Sequence, residues 1–141
     1  MTDVDALQRT LAGEHAAVFV MGALGGRAST LPAPLLRDAI DAAYAAHVER
    51  RDHLRLVIAA AGSDPVAAEP AYRLPARLDT REEVAAEAVR VERACVTTYA
   101  ALVAASAGAV RRWAVQAMAE TALSEIDLGG PPQALPGLRG H

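Results

Sequence analysis

Residues 35–61 form the longest uninterrupted helical pattern in the sequence, LLRDAIDAAYAAHVERRDHLRLVIAAA. The run contains neither proline nor glycine, and its apolar positions recur at spacings of three and four residues, which predicts one long amphipathic helix. The apolar stripe is interrupted at mid-length by His47 and Arg50, with Arg51 beside them. Because polar groups inside a protein need hydrogen-bond partners, the middle of this helix must face either water or a polar partner.

The composition favours helices over strands. Of the 141 residues, 52% are hydrophobic but only 4% are aromatic, and 34 are alanine. Alanine is the best helix former and a poor strand former. A chain of this size can bury a substantial core as one domain. We therefore expect a single all-α domain with small side chains at closely spaced helix interfaces.

The charge pattern argues against nucleic-acid and membrane partners. The net charge is -3 and all 14 basic residues are arginine, whereas nonspecific nucleic-acid binding depends on a basic face. Charges break every apolar run well before the roughly 20 residues that span a bilayer. No export signal is recognisable, and the single Cys95 excludes an intrachain disulfide. We expect a cytoplasmic protein that binds neither nucleic acid nor membrane.

The first predicted helix spans residues 2–24 and carries a glutamate in its apolar face. Its seam positions recur at spacings of four and three: Leu7, Leu11, Glu14, Val18 and Met21. We expect the glycines at positions 22, 25 and 26 to end this helix. The second helix begins at Pro34, where the missing N–H costs nothing, and it ends at Gly62.

Residues 63–79 contain three prolines and show no helical period, which predicts an extended connection. At ~3.3 Å per residue this segment could reach about 55 Å. The preceding helix, at 1.5 Å per residue, is only about 42 Å long. The connection is therefore long enough to run the length of a bundle, which would make the second and third helices parallel.

The second half of the chain predicts two more helices. Thr80 and Glu83 match a capping box at the start of a third helix that runs to about residue 107. A tight turn leads into a fourth helix over residues 109–127. Residues 1–128 are thus predicted to form an all-α four-helix bundle, with residues 129–141 as a Gly/Pro-rich tail. The long crossover connection between helices 2 and 3 is typical of ferritin-like bundles.

Two segments carry a family likeness: residues 14–19, EHAAVF, followed by Gly22, and residues 46–52, AHVERRD. They resemble the signature stretches of an actinobacterial family of ferritin-like domains of unknown function, and the likeness extends over nearly the whole chain. It implies a ferritin-like four-helix fold. It implies no particular activity, because the wider superfamily contains di-iron oxidases, iron stores and members without metal.

Four polar residues lie near the middle of four different predicted helices: Glu14, His47, Glu92 and Glu120. One interpretation makes them ligands of an altered mono- or di-metal site, in a carboxylate oxidoreductase or an iron-binding protein, with iron or manganese as the cofactor. A ferritin-like di-metal site requires two Glu-x-x-His pairs. The chain contains no such pair, so this site would be incomplete.

The other interpretation is a buried ion-pair network without a cofactor. In it Arg50 or Arg51 bridges Glu14 and Glu92, and His47 is hydrogen-bonded among them. Arginine favours this network because a guanidinium is always charged, cannot ligate a metal and repels a cation. We therefore predict a metal-free binding or scaffold module with no assigned catalytic residue, and we leave open whether the protein is an enzyme.

The remaining notable side chains are given structural roles. Tyr99, Trp113 and Cys95 are predicted to lie in the core. Self-association is a further expectation, because Gly22 and Gly26 have GxxxG-like spacing and the long alanine-rich faces are hard to hide in one four-helix layer. Exposed apolar patches of this kind usually mark contacts.

Overall fold

The computed structural model describes residues 3–134 and residue 136, and over these residues the protein is a bundle of four α-helices. In chain order the helices are α1 (Asp3–Ala28), α2 (Pro34–Ala60), α3 (Arg81–Ala105) and α4 (Gly108–Asp127). The predicted all-α four-helix architecture is confirmed. None of these helices is long and apolar enough to cross a membrane. The predicted tail over residues 129–141 lies partly outside the described residues.

The predicted starts of the later helices are confirmed. Pro34 occupies the first turn of α2, and the capping box at the start of α3 is complete. The Thr80 hydroxyl accepts a hydrogen bond from the Glu83 backbone N–H, and the Glu83 side chain accepts one from the Thr80 N–H. This cap fixes the beginning of the helix that carries Glu92, Cys95 and Tyr99.

The prediction that glycines end the first helix after residue 24 is wrong. α1 continues through Gly25 and Gly26 to Ala28. Leu24 and Ala28 are both buried, so the packing of this last stretch outweighs the roughly 1 kcal/mol that a glycine costs in a helix interior. A Cβ placed on Gly26 would meet nothing within 4 Å.

The connection between α2 and α3 runs lengthwise along α1. Gln8, near the start of α1, donates a 2.7 Å hydrogen bond to a backbone carbonyl early in the connection. Two turns further along α1, a ring nitrogen of His15 lies 2.9 Å from the backbone carbonyl oxygen of Val66. Beyond it the rings of Phe19 and Tyr72 pack with centroids 5.4 Å apart. The connection therefore crosses the bundle from one end to the other, as predicted.

The apolar core has two parts, which lie at opposite ends of the bundle. At the end where α1 finishes, the core includes Leu24, Leu36, Ile40, Val84 and Leu128. At the end where α1 begins, it includes Leu7, Leu11, Leu54, Ile58 and Leu102. The starts of α2 and α3 thus share one end and their finishes share the other. The two helices run parallel, which confirms the predicted crossover.

The four sides of the bundle are not equally closed. α1 packs closely against both α2 and α3, and α3 packs closely against α4, whereas α2 and α4 make few contacts with each other. The side between α2 and α4 is therefore the most open face of the bundle. Arg50 of α2 and Glu120 of α4 lie on this side.

We expect Gly26→Ala to raise the free energy of unfolding by roughly 0.5–1 kcal/mol. The backbone at this position is helical, and the added methyl group meets no atom within 4 Å. Chemical denaturation measures the change. Gly62→Ala is the control, because Gly62 has a φ of +80° and alanine there should be destabilising. A loss of stability in Gly26→Ala would contradict a helix that passes through this glycine.

Candidate functional site

The polar residues at the centre of the bundle lie where the two parts of the core meet. Glu14 sits on the apolar face of α1, between Leu11 of one core part and Ala17 of the other, and its side chain is completely buried. His47 occupies the corresponding place on α2 and is also completely buried. The helical period that buries the apolar seam of each helix therefore buries these two residues as well.

His47 bridges two carboxylates that come from different helices. Its Nδ1 lies 2.6 Å from Oε2 of Glu14, and its Nε2 lies 2.5 Å from Oε1 of Glu92. A neutral imidazole carries one N–H, whereas the protonated ring donates from both nitrogens. Burial lowers the pKa of His47, but the hydrogen bonds to Glu14 and Glu92 outweigh this effect and raise it from 6.5 to about 9. At neutral pH His47 is therefore an imidazolium.

Tyr99 of α3 completes the hydrogen bonding of Glu14. Its hydroxyl donates to Oε1 of Glu14, the oxygen that His47 does not use. Burial and the Glu14 charge raise the pKa of the Tyr99 phenol, which keeps it protonated as a donor. The predicted core position of Tyr99 is confirmed. The hydrogen bond to Glu14 was not predicted for this residue in particular.

Arg50, and not Arg51, faces the interior of the bundle. Its Nη2 donates to Oε2 of Glu120 at 3.2 Å, and its Cζ lies 5.7 Å from the centroid of the Tyr99 ring. Arg51 instead pairs with Asp52 at 2.9 Å. The expected arginine bridge between Glu14 and Glu92 is wrong, because His47 occupies that place. Its two ring nitrogens point in opposite directions, which suits carboxylates that approach from α1 and α3.

The structure brings Glu14, His47 and Glu92 together and leaves Glu120 apart. The side chain of Glu120 is 53% exposed on α4, where it accepts hydrogen bonds from Gln116 at 2.8 Å and from Arg50. These two hydrogen bonds lower the pKa of Glu120. Glu120 therefore belongs to a separate, half-exposed ion pair.

The donor set in this arrangement does not fit a ferritin-like di-metal site. A ligating imidazole must offer a nitrogen lone pair, and both nitrogens of His47 face carboxylates. Within the described part of the chain, one set of three donor side chains lies close together: Glu14, His47 and Cys95, with ligand atoms within 4.8 Å of one another. Burial raises the pKa of the Cys95 thiol well above its ordinary value, which opposes the deprotonation that metal binding requires.

Two further buried glutamates were missed at the sequence level. Glu87 pairs with Arg90 three residues later on α3, with Arg90 Nε donating at 2.9 Å, and this spacing was visible in the sequence. Glu125 of α4 accepts a 3.0 Å hydrogen bond from Arg93 of α3. No local sequence signal indicates this second pair, because its members lie on different helices. Oε1 of Glu125 and the hydroxyl of Thr121 are buried, and neither has a hydrogen-bond partner among the residues that the structure describes.

Together these features define a class of protein: an all-α four-helix bundle with a long crossover and a buried Glu-His-Glu centre. The chain belongs to the family described as a domain of unknown function, DUF4439, whose model matches residues 6–140. This confirms the predicted membership in a family of unknown function. The chain is also similar to a conserved hypothetical protein, rv2844, from Mycobacterium tuberculosis, known from a crystal structure. The identity is 28%, the TM-score is 0.80, and the match covers 94% of this chain and 95% of that chain. No curated protein matches.

We expect the stability of the protein to fall as the pH rises from 6.5 to 9. The folded protein holds the His47 proton with a pKa of about 9, above the ordinary 6.5. The resulting stabilisation is complete below pH 6.5 and is lost as the pH passes through 9. Its size is on the order of 3 kcal/mol. Denaturation midpoints at several pH values measure the loss.

His47→Gln should remove most of this pH dependence, whereas His53→Gln, which changes an exposed histidine, should keep it. Cys95 is present in all three proteins, so its own titration cancels in the comparison. Equal pH profiles for the unmodified protein and His47→Gln would contradict an imidazolium at position 47.

Proposed function

We propose that this domain is a metal-free binding module with a ferritin-like arrangement of helices, in which a protonated histidine takes the place of a metal cation. One observation carries the proposal: both ring nitrogens of His47 are hydrogen-bonded to carboxylates, one from α1 and one from α3. In a metal-binding bundle the cation neutralises inward-facing glutamates. Here a proton on His47 serves that purpose.

The charges around the centre support the same proposal. His47 is hydrogen-bonded to both central carboxylates, Glu14 and Glu92. The guanidinium of Arg50, which pairs with Glu120, adds a favourable electrostatic interaction with Glu14. Arg50 is 8% exposed and retains its charge at every physiological pH. A metal ion at this place would have to displace the His47 proton and would be repelled by Arg50. Such a buried network fixes how the helices meet, at a cost in desolvation.

The alternative function is a mono- or di-metal carboxylate oxidoreductase or iron-binding protein, with Glu14, His47, Glu92 and Glu120 as ligands. The proximity of Glu14, His47 and Cys95 favours this alternative. It requires His47 to lose its proton and Glu120 to leave Arg50 and reach the centre. The ion pairs described above oppose both changes.

Thermal unfolding with and without metal tests the proposal. After chelator treatment, ferrous iron, manganese and zinc should leave the melting temperature of the unmodified protein unchanged. Glu14→Ala should lower the free energy of unfolding by ~3–5 kcal/mol, because it leaves the buried His47 cation without one of its two carboxylates. Glu49→Ala, which changes an exposed residue of α2, is the matched control and should change little.

The metal-binding alternative predicts a different pattern. Saturable stabilisation by one of these metals would follow RT ln(1 + [L]/Kd). If that stabilisation were present in the unmodified protein and in Glu49→Ala but absent in Glu14→Ala and in His47→Ala, the metal-free proposal would be overturned.

Self-association remains part of the proposal. Several large apolar side chains are exposed on the helices, among them Leu35 at 83% and Leu56 at 72%. Sedimentation at high micromolar concentration should show a dimer or larger species, and a monomer under these conditions would remove this part.

A further inference from the structure

The open side of the bundle contains two adjoining cavities between α2 and α4. Their volumes are about 270 and 210 Å³. Ala46, Arg50 and Glu120 line both cavities, so the Arg50–Glu120 ion pair lies at their junction. Glu92, which contacts His47, lines the second cavity. The cleft thus reaches from the protein surface to the buried centre.

Arg50 is a buried cation in the lining of this cleft. Its side chain is only 9% exposed. Its guanidinium donates a long hydrogen bond of 3.2 Å to Glu120 and also interacts with the side chain of Tyr99. A guanidinium carries five N–H donors in a planar fork that matches a carboxylate with two parallel hydrogen bonds. The contacts with Glu120 and Tyr99 do not use all of these donors. Arg50 therefore retains donor capacity toward the cleft.

The first cavity also has an aromatic wall. Trp113 of α4 and His53 of α2 both line it, with their rings stacked at 5.0 Å between centroids. Ala46 and Ala117 add apolar surface. Glu49, at the exposed rim, contributes a second carboxylate beside Glu120. A cation at the floor, carboxylates at the rim and an apolar wall are thus combined in one cavity.

We propose that this cavity binds a small amino carboxylate with an apolar side chain. The carboxylate of the ligand accepts hydrogen bonds from the fork of Arg50, the ammonium donates to Glu120 or Glu49, and the side chain packs against Trp113. The inference rests on the proposed binding function and names its ligand class.

A zwitterion fits better than a singly charged ligand because Arg50 and Glu120 already form a pair. An anion alone would compete with Glu120 for Arg50 and leave that carboxylate without its partner. A cation alone would do the reverse. A zwitterion supplies a counter-charge to both members, so neither charge loses its pairing when the ligand binds.

Trp113 provides the readout, since it is the single tryptophan of the chain and it lines the cavity. L-leucine, L-methionine and L-phenylalanine are titrated up to their solubility limits while Trp113 fluorescence is followed. We expect a saturable change with at least one of them. Its methyl ester, which lacks the carboxylate, and its deaminated acid, which lacks the ammonium, should each bind at least about tenfold more weakly, a difference of about 1.4 kcal/mol.

Two variants locate the binding site. Arg50→Gln removes the cation, and Ala46→Leu fills the wall shared by both cavities without changing any charge. Each should abolish the fluorescence response. Ala45→Leu, at an exposed neighbouring position of α2, is the matched control and should keep it. Because Arg50 is buried, circular dichroism checks that its variant folds, and Ala46→Leu tests the cavity independently of that result.

The proposal is overturned if none of the three amino acids gives a saturable change, if the methyl ester or the deaminated acid binds as well as the parent, or if Ala46→Leu responds like Ala45→Leu. These outcomes are separate from metal-dependent stabilisation. A negative titration together with unchanged metal melts would remove this ligand class and leave the metal-free centre in place.

Discussion

The bundle depends on one protonated histidine, His47, which joins three helices through its two N–H groups. His47 donates from α2 to Glu14 of α1 and to Glu92 of α3, at a point where none of the three side chains is more than 1% exposed. An unpaired charge at such a depth costs several kcal/mol. Sliding any of these helices by one turn, about 5.4 Å, would break a pair. Apolar side chains of similar size tolerate such shifts far better, so the polar centre supplies the precision of the helix alignment.

Much of this arrangement could be predicted because it follows from periodicity and reach. The stripe of α2 placed His47 and Arg50 in the core, the seam of α1 placed Glu14 there, and the length of the connection required a crossover. The sequence did not predict that His47, and not an arginine, bridges Glu14 and Glu92. That choice depends on the direction of each side chain and on whether the shorter imidazole or the longer guanidinium fits the distance between the two carboxylates. The predicted end of α1 near residue 24 was wrong for a related reason. A glycine such as Gly26 permits a helix to end, but tertiary packing decides whether it does.

The open side between α2 and α4 is a second feature that sequence patterns do not reveal. The apolar stripes of α2 and α4 predict which side chains are buried, but they do not predict how far apart the two helices lie. Arg50 links this side to the centre, because it contacts the ring of Tyr99 inside and Glu120 outside. The cleft between α2 and α4 is therefore electrostatically coupled to the buried centre around His47. Glu120, at the cleft, is 53% exposed and has room to reorient.

The lengthwise connection has a consequence for how the molecule is divided. It separates the chain into two helical hairpins, α1 with α2 and α3 with α4. The first hairpin contributes Glu14 and His47, and the second contributes Glu92 and Tyr99, so neither half can satisfy the imidazolium alone. The connection over residues 63–79 contributes no ligand to the centre. The connection keeps the two hairpins at a high effective concentration. Their specific association depends on charge, because His47 of the first hairpin needs Glu92 of the second to pair both of its N–H groups.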